Sequence, residues 1–439
     1  MNDPPVLTIE KLEEIVAGAA AIRCITRLQP GGGPGDKVFP PTYHQDDKRA
    51  VRYATEQRRV NGHTVDTVLL DSVASQANRM EEALLEAWES SETEFQFPVL
   101  SVNFEKVAGL ERLGKITTLQ APHRIADAIF RDSILGDGPD KDKPFRQSTA
   151  GQAYTEASPK NATAVFQYCP TGLVFGVWDS TGPRGGMGNK FQRALVSEIV
   201  GVGAVVGKKT ESRLDPLGIP SSVVLYERDG DDSDWTTNAA SARKETVDKK
   251  EQPKKFTGGS KKNPGRPSLI NHGNVAPTLD ITAGGVTFDY AQQTTVLSLP
   301  ALRRLRFQNG TDGKPLLDRP AAELAARTAL AALALNGVVL AHERGHDLRS
   351  RSLLVPETRG PLVLEVIFAT SDAIESFRLG RADAATLLKA ASECAAKRGL
   401  CWKREPISLR PEKKLEELVR ESWRVAAKRA PDAQDDEES

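Results

Sequence analysis

The sequence lacks the cysteine patterns of disulfide scaffolds and zinc ribbons. Its four cysteines stand at positions 24, 169, 394 and 401 of 439 residues, and no C-x-x-C pair occurs. So few cysteines in so long a chain do not form a disulfide framework. We therefore expect reduced thiols and a cytoplasmic protein, in which Cys169, within an apolar stretch, is a small buried residue.

Net charge and long apolar runs are also missing. Lys and Arg number 59, as do Asp and Glu, so the formal net charge is zero. This excludes a uniformly basic nucleic-acid binder but leaves room for a local basic face. The longest apolar run, Ala329–Ala341, contains Asn336 and Gly337 and falls short of the roughly 18 residues of a membrane span. Met1–Pro5 has no basic start and no apolar core, so we expect neither a signal peptide nor a membrane partner.

Hydrophobic periodicity predicts both helices and strands along the chain. The predicted helices are 6–22, 72–90, 125–135, 190–200, 320–341, 382–397 and 412–429. The predicted strands are 65–71, 95–104, a strand pair over 162–178, strands within 279–305, and 362–369. Two strand–helix–strand-like units, Leu100–Gly201 and Leu297–Phe368, indicate an α+β sheet protein with large insertions.

One polar stretch interrupts this pattern. From Arg243 to Arg266, nine Lys or Arg stand against three Asp or Glu, a net charge of +6. Such a block is typical of a solvent-exposed insertion. We predict a discontinuous core over 1–228 and 268–410, a polar Lys-rich insertion or linker over 229–267, a charged C-terminal helix over 411–431 and a disordered acidic tail over 432–439.

The string His342–His346 fits the metalloprotease pattern H-E-x-x-H. On a continuous helix its two histidines would share one face and hold zinc, with Glu343 as general base and Glu365 as the remaining protein ligand. Gly345 inside the required turn favours the alternative, in which the helix ends there. No G-x-S-x-G occurs, and 201–208 has neither Walker nor dinucleotide-binding spacing.

Three polar, cationic clusters lie in separate predicted elements. Their members are Gln76, Asn78 and Arg79; Arg184, Asn189, Lys190, Gln192 and Arg193; and Arg349 and Arg351. The second cluster belongs to a glycine-rich block that we expect to open a helix, whose N-terminal amides suit phosphate. The third places its arginines on one side of an extended run. Together the clusters predict phosphate or nucleic-acid contact, and the alternative for each is a solvated basic surface.

The same clusters carry a resemblance to one CRISPR protein family. Leu70–Arg79 resembles the family's S-x-x-S-Q-A-N-R stretch, and Thr171–Ile199 resembles its most characteristic block. Leu348–Pro356 resembles its late L-R-S-R motif, and the early loop Arg27–Pro34 loosely resembles R-F-Q-P-T-G-F-P. The family is the backbone RAMP subunit of the type I-G (formerly I-U) CRISPR surveillance complex, and the resemblance spans about Ile22 to Ala395.

This resemblance implies an RRM-like (ferredoxin-like) palm with large helical and β-hairpin insertions. Copies of the chain would form a helical filament along one guide RNA, beside other Cascade subunits, and present the guide to target DNA in antiviral defence. It implies no catalytic residue, metal or cofactor, and it makes the ten cluster residues candidate RNA contacts. The chemistry agrees, because a guide gripped through phosphate and sugar keeps its base edges free.

Two further alternatives stay open. A metal-dependent ribonuclease would cut target RNA with an aspartate in a loop, either Asp179 or Asp36, although a lone aspartate at a turn more often caps it. The Lys-rich segment 243–266 either contacts target DNA or a neighbouring subunit, or is a disordered, solubilising insertion.

Overall fold

The computed structural model describes residues 3–47, 50–90, 96–180, 182, 190–247, 249–259, 263–403 and 405–429. These residues form a mixed α+β structure, which confirms the predicted class. The helices of the described residues are α1 (Ile9–Gly18), α2 (Val73–Glu89), α3 (Ala128–Arg131), α4 (Thr149–Glu156), α5 (Thr163–Tyr168), α6 (Thr171–Phe175), α7 (Leu299–Arg303), α8 (Arg319–Arg344), α9 (Arg381–Lys397) and α10 (Lys413–Arg429).

The strands of the described residues make several sheets. They are β1 (Ala21–Pro30), β2 (Thr55–Val60), β3 (His63–Asp71), β4 (Leu100–Asn103), β5 (Lys115–Thr117), β6 (Ser133–Leu135), β7 (Val177–Trp178), β8 (Lys190–Phe191), β9 (Leu195–Val202), β10 (Val205–Val206), β11 (Lys209–Arg213), β12 (Tyr226–Arg228), β13 (Asp231–Thr236), β14 (Lys244–Val247), β15 (Lys250–Pro253), β16 (Val275–Asp280), β17 (Val286–Thr287), β18 (Tyr290–Ser298), β19 (His346–Asp347), β20 (Leu353–Pro356), β21 (Leu362–Ile367), β22 (Ile374–Leu379) and β23 (Ile407–Pro411).

The chain divides into two compact units. The first contains the described residues within Met1–Gln45, Arg52–Val206 and Gly285–Glu416. The second contains those within Asp46–Val51, Gly207–Gly284 and Glu417–Ser439. The first unit stops at Val206 and resumes at Gly285, so its bounds differ from the core predicted for 1–228 and 268–410, and that division of the chain remains a prediction.

The main sheet of the first unit is built on β1. Strands β9, β18, β1 and β21 lie side by side and antiparallel, so β1 and β9 are parallel with β18 between them. Strands β18 and β21 are likewise parallel with β1 between them. Because α2 lies between β1 and β9 in sequence and α8 between β18 and β21, the sheet contains two split β-α-β units.

Capping residues set the ends of the two crossover helices. Ser72 accepts a hydrogen bond from the Ser75 amide at the start of α2, and Asp318 accepts one from the Ala321 amide at the start of α8. Gly345, with φ +89°, ends α8, as the alternative interpretation of the H-E-x-x-H string predicts. The predicted helices 72–90 and 320–341 are therefore confirmed, α8 being slightly longer.

Among the described helices, α8 is long and apolar enough to cross a membrane. However, 89% of its most apolar window is buried inside the protein, as in the core helix of a folded domain. It packs against α1, α2, α6 and α9. Because α8 contacts other helices on every side, Ala and Leu occur around its whole circumference instead of on one face.

Two predicted elements are wrong. The strand pair expected over 162–178 folds as α5 and α6, followed by the short β7. Length and apolarity alone do not separate a buried helix from a buried strand. The helix expected over 190–200 folds as β8 and β9, because Phe191, Leu195 and Ile199 are four residues apart and share a face in a strand as well as in a helix.

Other boundaries shift by a few residues. The predicted helix 6–22 is α1 followed by the start of β1, because Ala19 is extended (φ −76°, ψ 162°). The predicted helix 125–135 shortens to α3 and gives way to β6. The helices predicted over 382–397 and 412–429 form as α9 and α10.

The second unit orders much of the Lys-rich segment. It contains hairpins β12–β13 and β14–β15, and Leu225, Ala242 and Phe256, which flank these hairpins in the sequence, are buried. The Glu227 carboxylate, in a residue 2% exposed, accepts bonds from Arg243 (2.8 Å) and Lys254 (2.7 Å). Two cations of the basic block therefore neutralise a sequestered carboxylate, and the expectation of a disordered insertion is wrong for the described residues. The predicted acidic tail 432–439 lies outside them.

Candidate nucleic-acid interface

The arginines of the third cluster lie on a tight turn between β19 and β20 instead of an extended run. The Leu348 amide closes the turn by donating to the Ser352 carbonyl (3.1 Å), and both Arg349 and Arg351 are exposed. Arg351 has φ +61°, a left-handed conformation uncommon for a residue with a side chain. Such strain persists where surrounding contacts enforce it, and it concentrates at functional sites.

Phe39 supports this turn from a distant part of the sequence. The Arg351 guanidinium lies 3.9 Å from the centre of the Phe39 ring, within cation–π range. The Ser352 hydroxyl donates to the Phe39 carbonyl (2.6 Å) and accepts from the Phe39 amide (3.0 Å). The stack leaves the charge of Arg351 at the surface while fixing the plane of its guanidinium.

Arg79 of α2 holds the same turn. Its guanidinium donates to the backbone carbonyls of Asp347 (3.2 Å) and Leu348 (2.5 Å), and its Nε donates to the Asp71 carboxylate (3.0 Å). The first predicted cluster therefore contacts the turn that carries the third. Because the Arg79 donors point at the protein backbone, we assign Arg79 a positioning role for the turn.

Gln76 ties α2 to the main sheet. It is 3% exposed, and its side-chain amide donates to Asp71 (2.5 Å). Its carbonyl oxygen accepts from the Ser197 hydroxyl (3.1 Å) and the Gln293 amide (2.7 Å), on β9 and β18. Asn78, two residues along and so on the opposite side of the helix, is exposed. In this cluster, Gln76 and Arg79 face inward and Asn78 faces solvent.

The glycine-rich block connects two strands of a short hairpin. Trp178 of β7 pairs with Lys190 of β8, and the Lys190 ammonium lies 5.5 Å from the centre of the indole ring. Trp178 is 51% exposed, so the hairpin presents an aromatic surface and a cation together. Arg184 and Asn189 lie outside the described residues. A strand follows the block, so the helix N-terminus expected there is a wrong prediction.

Gln192 and Arg193 have partners within the chain. The Gln192 side-chain oxygen accepts a bond from Arg304 (2.9 Å). Arg193 donates from Nε to the Phe175 carbonyl (3.1 Å). Gly176, with φ +85°, makes this approach possible, because a Cβ there would lie 2.9 Å from Arg193 Cγ. Arg193 thus helps to fix the base of the hairpin.

A buried ion pair connects α2 to this hairpin. Arg124 donates to both carboxylate oxygens of Glu81 (2.6 Å each) and to the Gly176 carbonyl (2.8 Å), just before β7. The two side chains are 6% and 3% exposed. Burial raises the pKa of Glu81, to about 7, against the opposing effect of the Arg124 charge. Helix α2 therefore positions both cationic segments.

The two segments lie at opposite ends of the main sheet. Lys190–Arg193 precede β9, which runs parallel to β1, whereas the turn 348–352 leads into β20, which pairs with the last residues of β1. The ten residues of β1 span roughly 30 Å. Among the described residues, the first cluster contacts the turn that carries the third, and the hairpin is connected to both through α2.

Sequence reasoning missed several of the supporting residues. Asp71, Glu81, Arg124 and Phe39 carry the contacts above, and none belongs to a cationic cluster. On the exposed side of the sheet, Arg27 lies 3.5 Å from the ring centre of Tyr290. Of these residues, Asp71 had a local signal, since it ends a predicted strand immediately before the first cluster. The others are joined by tertiary contacts that no local pattern encodes.

The geometry disfavours the ribonuclease alternative. Asp179 is 3% exposed, and its carboxylate is bound by Arg146 at 3.0 Å. A carboxylate neutralised by an arginine is a poor ligand for a catalytic cation. The Asp36 carboxylate accepts a hydrogen bond from the Lys37 amide (2.9 Å) within its own loop. This contact is typical of an aspartate that caps a turn, which is the alternative to a catalytic role.

The zinc alternative fails on local geometry. Helix α8 ends at Arg344, so His346 lies in β19 and does not share a helical face with His342; their rings are 5.7 Å apart. Glu365, the proposed third ligand, accepts a bond from Arg23 (2.7 Å). No group of three His, Cys, Asp or Glu is arranged for a metal within the described ranges. Burial lowers the pKa of His346 to about 4.

Comparison with known proteins supports the CRISPR resemblance. Residues 22–206 match the family model described as "CRISPR-associated protein GSU0053" (Cas_GSU0053). This range runs from β1 to β10 and includes two of the three clusters, but it is less than half of the chain. The assignment to the type I-G backbone subunit remains a prediction.

The comparisons with solved structures and with curated proteins do not extend this assignment. The chain is similar to the structure titled "Crystal structure of Thermofilum pendens Csc2", with 10% sequence identity over 96% of this chain and 81% of that one. The TM-score is 0.23, too low to carry an argument. No curated protein matches the chain.

Proposed function

We propose that the chain is a non-catalytic CRISPR RNA-binding backbone subunit of a type I-G Cascade complex. The main supporting observation is that Arg79 donates two hydrogen bonds to the turn that carries Arg349 and Arg351. In addition, residues 22–206 match a CRISPR-associated family. A fixed turn with two exposed guanidiniums suits a polyanion, because arginine donors match phosphate oxygens. The guide is held through its backbone, so its bases stay available to target DNA.

An RRM-like palm is the fold proposed for this subunit. The order of β9, β18, β1 and β21, numbered by their place in the chain, is 2-3-1-4. With one crossover helix in each split unit, this order supports a ferredoxin-like core. The insertions expected around the palm correspond to α3–α6 and to the second unit.

Partners follow from the same proposal. Copies of the chain assemble along the guide in the cytoplasm, beside other Cascade subunits. Two observations support a non-catalytic role for this chain. Arg146 binds the Asp179 carboxylate, and α8 ends at Arg344, before His346 could share a helical face with His342. Incubating the assembled complex with labelled target RNA and magnesium tests this point, and a cleavage product would contradict it.

The binding test removes the charges of the turn. We expect the double variant Arg349→Ala/Arg351→Ala to retain less guide RNA on purification. Its salt dependence should be shallower by about 1.4 in log–log slope, since each lost phosphate contact on a single strand removes about 0.7. The measurement is RNA affinity at several salt concentrations.

The matched control is Lys389→Ala/Lys397→Ala, which removes two exposed cations from α9. The control should keep both the affinity and the slope of the unchanged protein. Equal behaviour of the two double variants would contradict the proposed role of the turn.

A further inference from the structure

The second unit contains a cavity that the proposed function does not use. The cavity lies between the loop around Arg266 and the turn around His272, and its volume is about 330 Å³. The polar residues that line it are Ser221, Asn263, Arg266, Ser268, His272 and Asn274. Among the described residues at its wall, none is acidic.

The lining is rich in hydrogen-bond donors. Arg266 brings a guanidinium, one N–H of which donates to the Ser221 carbonyl (3.3 Å). The Asn274 side-chain oxygen is turned inward, where it accepts the Asp215 amide (2.8 Å), so its NH₂ group forms the other end of the side chain. A donor-rich wall with a guanidinium and no carboxylate is selective for an oxyanion.

A sequestered carboxylate orients His272. The Asp215 side chain is 1% exposed and lies 3.3 Å from His272 Nδ1, while the His272 side chain is 44% exposed. The Asp215 carboxylate also accepts from the amides of Leu217 (2.8 Å) and Gly273. The Gly273 amide holds the pKa of Asp215 below its usual value. With Nδ1 engaged, Nε2 is the nitrogen that His272 offers to a ligand.

Hydrogen bonds from Arg213 and the close packing of Gly273 hold the turn that carries His272 in place. Arg213 donates to the carbonyls of both His272 and Gly273. Gly273 has φ +87°, and a Cβ there would lie 3.0 Å from Pro267 Cβ, so the close approach of the two loops requires glycine. Rigid placement of donors lowers the ordering cost of binding a small anion.

We propose that this cavity binds a phosphate group through Arg266, His272 and the amide and hydroxyl side chains beside them. The phosphate has two possible sources: the backbone of a nucleic-acid strand or a free nucleotide. Because free phosphate ligands are among the probes, the proposal stands or falls separately from guide RNA binding by the first unit.

The test titrates the full chain with inorganic phosphate, with adenosine monophosphate and with a single-stranded DNA oligonucleotide. We expect Arg266→Ala to weaken binding by about tenfold, the loss of one charge-assisted contact. His272→Ala should weaken it several-fold. Arg266→Lys keeps the positive charge but loses the planar guanidinium, so its affinity should lie between that of the unchanged protein and that of Arg266→Ala. This variant provides the same test if Arg266→Ala does not fold.

Lys244→Ala is the control, because Lys244 is an exposed cation of the same unit outside the cavity. Binding of the free ligands that Arg266→Ala weakens supports a nucleotide site. Binding of the oligonucleotide alone, weakened by Arg266→Ala more than by Lys244→Ala, supports a strand-backbone site. Failure of all three probes to bind, or equal losses in Arg266→Ala and Lys244→Ala, would overturn the proposal.

Discussion

The turn 348–352 and the β7–β8 hairpin are held by the same helix in contrasting ways. Arg79, with a side chain 31% exposed, supports the turn by donating to backbone carbonyls. The hairpin depends on Glu81 and Arg124, an ion pair almost fully sequestered from water. Without Arg79, the buried Asp71 carboxylate keeps the Gln76 amide as a hydrogen-bond donor, whereas without Arg124 the buried Glu81 carboxylate loses its counter-ion. The contrast separates residues that shape the interface from residues that secure the domain.

The largest expected effect comes from breaking the buried pair. Arg124→Ala should lower the free energy of unfolding by about 3–5 kcal/mol, because it leaves the Glu81 carboxylate buried without a partner. The double variant Glu81→Leu/Arg124→Met should lose less, since no charge is stranded. Chemical denaturation measures both. A loss below about 1 kcal/mol in Arg124→Ala would contradict the contrast.

Lowering the pH tests how much His346, which lies in β19 beside the turn, contributes to stability. Burial lowers the pKa of His346 from 6.5 to about 4, so the folded state binds fewer protons than the unfolded state between these values. The stability it contributes is complete above pH 6.5 and is lost as the pH falls toward 4. Between about pH 7 and pH 5, we expect a loss of about 2 kcal/mol that His346→Gln does not show. Parallel stability curves for the two proteins would refute this prediction.

Removing the turn's support should affect binding more than folding. Arg79→Ala should cost about 1–2 kcal/mol of stability, and it should weaken guide RNA binding because the turn loses two hydrogen bonds. Since Arg79 acts through the turn, its effect on affinity should not add to that of Arg351→Ala. A double-mutant cycle measured by RNA affinity decides the point. Full additivity would mean that Arg79 does not act through Arg351.

The smallest effect is expected at the hairpin surface. Lys190→Ala should change the free energy of unfolding by less than about 0.5 kcal/mol. If Lys190 contacts a phosphate, the salt slope of RNA binding should fall by about 0.7. Lys389→Ala provides the comparison with one exposed cation removed from α9. Identical slopes for the two variants would place the RNA away from the hairpin.

The sequence predicted long, well-capped elements better than short apolar ones. Helices α2 and α8 were predictable because Ser72 and Asp318 cap them and long apolar periods follow. Segment 190–200 misled because a spacing of four residues fits a strand and a helix equally. The arginines of the turn were predictable as a cationic motif. Their support by Phe39 was not, because it depends on contacts between residues more than 300 positions apart.

The position of β1 in the main sheet also governs when this protein can fold during synthesis. Among the described residues, every strand that pairs with β1 is encoded at or after Tyr290, so β1 has no partner until about 260 further residues have been translated. At roughly 5–20 residues per second, that interval lasts tens of seconds. A nascent chain in this state exposes both edges of a strand, which makes it a natural client for chaperones at the ribosome.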